Sequence, residues 1–134
     1  MSLRKRQSEF AARVPALINK AIELGFDVTL GDAYRYPDCP YGAINSKHKE
    51  RLAIDLNLFI NGEYIEDDRG HAELGAWWES QGGTWGGAWS IKDYNHYQAA
   101  AGEWENSIQT IDTISVPVVC SGIVEIPLAS LSTN

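Results

Sequence analysis

The sequence predicts an α+β domain, an antiparallel sheet with helices packed on it. Three observations carry that reading. The N-terminal segment has a long helical apolar stripe, the middle of the chain alternates like a strand and ends in a hairpin signal, and no repeating strand–helix–strand rhythm calls for a parallel sheet.

A helix is expected from about Gln7 to Leu24, because Phe10, Val14, Leu17, Ala21 and Leu24 recur at three- and four-residue steps. Ile18 and Ile22 widen that stripe, and Gly25 stands where a C-terminal cap glycine belongs. Phe26, Val28 and Leu30 alternate as a short strand that Gly31 and Asp32 end. Tyr36 to Ser46, with Pro37, Pro40, Gly42 and Asn45, has no period and reads as a loop. A second strand runs from about Ala53 to Ile60, with Ile54, Leu56, Leu58 and Ile60 on one face and Ala53, Asp55, Asn57 and Phe59 on the other. Asn61-Gly62 is a hairpin turn signal, and Glu63 to Ile65 return as the partner strand. His71 to Gln81 reads as a short helix with Leu74, Trp77 and Trp78 inward, stopped by Gly82-Gly83. Trp85 to Trp89 is a glycine- and tryptophan-rich turn, and Tyr94 to Gln98 a last short strand.

A chain of 134 residues with 44% hydrophobic content is one domain with a real core. Residues 1–106 are expected to form it, with 107–134 an extended or strand-like addition of unknown role. The net charge of −7 argues against a nucleic-acid partner. Every Lys and Arg lies at or before Lys92, and only acidic charges follow (Asp93, Glu103, Glu105, Asp112, Glu125). Arg4, Lys5 and Arg6 are followed by Gln7, Ser8 and Glu9 and not by an apolar run, so no signal peptide is expected. No stretch is apolar for long enough to span a membrane. The two cysteines, Cys39 and Cys120, lack a metal-type spacing; one disulfide and two free thiols both stay open.

Of the three histidines, His48 precedes the second strand with Asp55 seven residues on, and His96 lies on the last strand with Asp93 three residues before it. Asp55 needs a partner, because an unpaired buried charge is costly. Two imidazoles and one carboxylate are the donor set of an open zinc site, and a second carboxylate nearby can move protons. On residue types alone, ordinary surface or core histidines are the favoured reading. His71, near Asp67, Asp68 and Glu73, reads as part of a solvated stretch ahead of a second metal site. Trp77, Trp78, Trp85, Trp89 and Trp104 read mostly as core, with Trp85 and Trp89 the expected cleft liners.

The wording of the motifs goes further. Ser46-Lys47-His48, six residues, then Asp55 resembles the S-x-H-x6-D signature of the D-Ala-D-Ala carboxypeptidase and phage endolysin family, peptidase family M15. Asp93-Tyr94-Asn95-His96-Tyr97 resembles its D/E-x-x-H-aromatic motif. Ala33-Tyr34-Arg35 resembles its G-Y-R segment, Leu52 to Leu56 its G-L-A-x-D strand, and Gly82-Gly83-Thr84-Trp85-Gly86-Gly87 its G-G-x-W-G-G segment. The likeness runs from about Gln7 to Gln98. Lys49, Glu50 and Arg51 stand where the family has smaller residues and a glycine, a change at the cleft rim, and the family offers no model for Ser107 to Asn134.

The resemblance implies an α+β domain of the Hedgehog/D,D-peptidase type. It implies zinc (Zn2+) held by His48, Asp55 and His96, Asp93 as general base and then acid, and Arg35 holding a substrate carboxylate or oxyanion. Ser46 would hydrogen-bond substrate or steady the site, or simply form the turn. The implied partner is the peptidoglycan stem peptide. Among family members, size and the missing leader resemble phage endolysins, monomers that cut the L-alanyl-D-glutamate bond and pass from the host cytoplasm to the wall on lysis. D,D-carboxypeptidase or dipeptidase action is the close alternative. A non-catalytic wall-binding or phage structural module is the rival from another class, against which Asp93 stands.

Overall fold

The computed structural model describes residues 1–104 and the backbone of two further strands, 113–118 and 122–127. Helix α1 spans Leu3–Glu23 and starts four residues before the expected Gln7. Its start is set by Ser2, whose side chain accepts from the Lys5 amide, a polar cap that hydrophobic periodicity does not register. Pro15 lies inside the helix and removes one backbone bond there. Phe10, Leu17 and Ala21 are buried, while Ile22 faces solvent and does not join the stripe.

Strand β1 (Asp27–Leu30) pairs antiparallel with β2 (Ala53–Ile60). The Asn61-Gly62 turn, both residues at positive φ, returns β2 into β3 (Glu63–Ile65). Helix α2 covers Asp68–Ser80, capped by Asp67, whose carboxylate accepts from the Arg69 amide. β4 (Thr84–Trp85) was hidden in the glycine-rich turn, and β5 (His96–Gln98) pairs with both β4 and β2. The sheet order is β1-β2-β5-β4, with β3 also on β2. The fold is α+β, as expected.

Leu52, Ile54, Leu56 and Leu58 pack with Phe10, Leu17, Leu74, Trp78, Trp85 and Tyr97 in one core. Glycines make room for the indoles. A Cβ at Gly75 or Gly87 would overlap the Trp85 ring, and one at Gly83 would overlap Trp78. His71 is not in a solvated stretch. It lies fully buried in α2, its Nδ1 2.7 Å from the Tyr97 hydroxyl. Burial keeps that hydroxyl protonated.

Strands β6 (Thr113–Val118) and β7 (Gly122–Pro127) form an antiparallel hairpin. The expected boundary at 106/107 and Cys120 lie outside the described residues; Cys39 is a buried free thiol. Among the described residues, no helix is long and apolar enough to cross a membrane.

Candidate metal and peptidase site

Asp55 is the middle of the site because it is in the middle of the sheet. On one edge its backbone amide donates to the Asp32 carbonyl (2.9 Å) and its carbonyl accepts from Gly31 (2.8 Å). On the other edge it stands opposite His96 in the β2–β5 register. His48 arrives from a short 3₁₀ turn, Lys47–Glu50, whose cap is Ser46: the hydroxyl accepts from the His48 amide at 3.2 Å. Local chain chemistry therefore delivers three side chains from separate segments to one point.

Their donor atoms nearly touch. His48 Nε2 is 3.0 Å from Asp55 Oδ1 and 3.2 Å from His96 Nδ1, and the third edge, His96 Nδ1 to Asp55 Oδ1, is 3.4 Å. A tetrahedral zinc with bonds of about 2.0–2.1 Å has ligand–ligand edges of about 3.3–3.4 Å. The outer nitrogens set the tautomers. His48 Nδ1–H donates to the Ala33 carbonyl at 3.1 Å, and His96 Nε2–H donates to Gln98 Oε1 at 2.8 Å. In the neutral rings, Nε2 of His48 and Nδ1 of His96 are then both bare lone pairs, facing each other and a carboxylate. Three buried lone pairs at such distances repel unless a cation sits among them, so the residues fit a metal ion. Among the described residues this is the single His/Cys/Asp/Glu group that can hold one; no second site forms around His71.

Electrostatics agree. Without a cation, a proton has to take its place: burial works against ionisation of Asp55, but hydrogen bonds donated by protonated His48 and His96 rings overcome it and draw its pKa down to about 2. Burial would lower the His96 pKa, yet the Asp55 and Gln98 hydrogen bonds and the charges of Asp55 and Asp93 raise it.

A cleft of about 360 Å³ opens on this cluster, lined by Arg35, Ser46, Trp89, Asp93, His96 and Gln98 among others. Asp93 is exposed, its Oδ2 3.8 Å from His96 Nδ1, close to the cluster without belonging to it. Arg35 reaches the far side, Nη2 3.5 Å from Asp55 Oδ2. Ser46 steadies the turn and stands 3.5 Å from Arg35 Nη1. Trp89 is 37% exposed, with its ring centroid 5.0 Å from that of His96. Trp85 is a correction to the expected cleft lining. Its indole is buried between Gly75 and Gly87, and its Nε1–H donates to the Tyr94 carbonyl at 2.7 Å.

The motif reading missed Gln98 and Asp32. Gln98 had a signal: two residues after His96 on a strand, it shares the ligand's face. Asp32 had none, because its contacts depend on tertiary pairing.

Residues 41–99, which include His48, Asp55, Asp93 and His96, match the family model described as D-alanyl-D-alanine carboxypeptidase. That stretch of this chain is similar to the M15 peptidases. Arg35 lies outside the matched stretch, and the structure brings it to the same cleft. A crystal structure of Serratia marcescens L-Ala D-Glu endopeptidase ChiX has the same fold, with a TM-score of 0.50 and 17% identity over 63% of this chain and 75% of that one. No curated protein sequence matches the chain.

Proposed function

We propose that this chain is a zinc-dependent peptidase of the M15 type that hydrolyses an amide bond in the peptidoglycan stem peptide, with L-alanyl-D-glutamate the favoured target. The observation that carries this reading is the convergence of the His48, Asp55 and His96 donor atoms beside a cleft lined by His96, Arg35 and Asp93. The Serratia endopeptidase of the same fold supports the choice of bond. The setting we propose is a phage endolysin: a monomer made in the host cytoplasm that reaches the wall on lysis.

His48, Asp55 and His96 would hold the zinc, which when bound supplies Lewis acidity to polarise a carbonyl and to acidify water. Asp93 takes a proton from the attacking water as its oxygen bonds to the carbonyl carbon. The same carboxyl returns that proton to the amine nitrogen as the C–N bond breaks. Arg35 faces the negative charge that grows on the carbonyl oxygen or a carboxylate of the stem peptide. Trp89 walls the cleft beside His96, and Ser46 keeps His48 and Arg35 in place.

D,D-carboxypeptidase action is the second reading, favoured by the description of the matching family. One experiment tests both. Purified peptidoglycan is digested with and without a chelator, and the products are read by mass spectrometry. Fragments that vanish with chelator and return with zinc establish the peptidase, and their masses name the bond. A zinc-loaded protein that releases nothing sinks the reading in favour of a wall-docking module.

A further inference from the structure

Arg35 is gripped by residues outside the metal cluster. Its Nε–H donates to Asp32 Oδ2 at 2.8 Å, and the Tyr41 hydroxyl donates to the same oxygen at 2.9 Å. The Tyr41 ring also lies under the guanidinium, 5.1 Å from its carbon. Asp32 itself is anchored, since its carbonyl accepts from the amide of the ligand residue Asp55. Gly31 permits that approach: a Cβ there would meet Asp55 Cβ at 3.0 Å. Gly42 clears the other side, where a Cβ would overlap Arg35 Nη1. Gly42 also has φ +79°, so a side chain is disfavoured twice.

The strengths of these bonds are uneven. The short bond is at Nε, on the inner edge. The outer nitrogens make only long contacts, Nη1 to Ser46 Oγ and Nη2 to Asp55 Oδ2, both 3.5 Å. A guanidinium has five N–H donors, so most of the outer edge is left for a ligand in the cleft that Arg35 lines.

We propose that Asp32 and Tyr41 are positioning residues that hold the Arg35 guanidinium plane, so that its outer edge presents a preset fork to an anionic oxygen of the substrate. The inference rests on the peptidase reading and goes beyond it, because it explains which edge of Arg35 is used and what keeps it there. An unclamped arginine has many rotamers and would have to be ordered in each encounter; here the order is built in.

The test is a double-variant cycle in the zinc-loaded full chain, read on a stem peptide. Asp32→Ala lowers kcat/KM by about 10–100-fold, the scale of a misplaced catalytic group. Asp32→Asn, whose amide oxygen still accepts from Nε, retains more activity, and Tyr41→Phe loses a few-fold. In an Arg35→Ala background, Asp32→Ala costs nothing further, because its effect passes through Arg35. Zinc content stays at the wild-type value in all of them. A second readout needs no turnover: the Arg35 Nε–H proton, protected by Asp32, gives a slowly exchanging NMR signal that Asp32→Ala removes. Losses that multiply in the Arg35→Ala background, zinc lost from Asp32→Asn, or an Arg35 signal unchanged in Asp32→Ala would each overturn the clamp while leaving the peptidase intact. A wild-type protein that cuts no stem peptide overturns the peptidase and the catalytic use of the clamp together.

Discussion

Gly75→Ala sets two effects of opposite sign against each other. Gly75 lies inside α2, where glycine is about 0.8–1.0 kcal/mol worse than alanine. Were helix propensity the whole story, the substitution would stabilise the protein by about that much. But the new Cβ would fall inside the buried Trp85 indole, which is also trapped by Gly87 and tied to the Tyr94 carbonyl. Overpacking a core of this kind costs about 1–3 kcal/mol. If the ring moves, its hydrogen bond adds a further loss of about 0.5–1.5 kcal/mol. Packing wins, and the net destabilisation is about 2 kcal/mol. For a domain of this size that is a fall in Tm of about 6–10 °C. The assay is thermal unfolding by circular dichroism with zinc present throughout, beside an exposed control such as Ala72→Gly, which should lose only about 1 kcal/mol. A Tm equal to or above wild type in Gly75→Ala would refute the wedge and leave propensity in charge.

Three other outcomes are expected. Single changes of His48, Asp55 or His96 to Ala should abolish stoichiometric zinc and the stabilisation zinc gives, about 4 kcal/mol at a thousandfold excess over its Kd; full metal content in any variant removes that residue from the ligand set. Asp93→Asn should keep its zinc, measured by atomic absorption, and lose about 10²–10⁴-fold in turnover, so a near-normal rate would take Asp93 out of proton transfer. His71 concerns acid stability: burial holds its folded pKa down to about 4 from 6.5, with the backbone of Ile65 and the charge of Asp67 only partly opposing. The unfolded chain therefore takes up the proton first, and stability falls as pH drops from 6.5 towards 4, by up to roughly 3 kcal/mol. Urea titrations across that window should show this slope in wild type and a shallower one in His71→Gln; equal slopes would show that His71 is not its source.

Elements whose local chemistry agrees with their tertiary setting were legible. β2 and its return strand β3 follow from alternation and Asn61-Gly62, since nothing nonlocal competes with them. The His48, Asp55 and His96 cluster, with Asp93 beside it, was readable because these residues sit in short motifs. Side chains whose role depends on what packs over them were not. Ile22 fits the α1 stripe but is left uncovered, and Trp85 looks like a cleft residue until Gly75 and Gly87 close on it. His71 looked solvated beside Asp67 and Asp68, yet its own ring points inward to Tyr97. Asp32 could be read as a strand-ending turn residue, and only the pairing with Asp55 turns it towards Arg35.

The His48, Asp55 and His96 cluster is split along the chain in a way that orders events during synthesis. His48 and Asp55 emerge early, but His96 follows His48 by 48 residues and reaches Asp55 only when β5 docks on β2. A nascent chain that ends short of β5 therefore carries two of the three donors and lacks Asp93. Completion of the sheet and assembly of the proposed site are one event, so a growing or truncated polypeptide would have no partial form of the proposed activity to release.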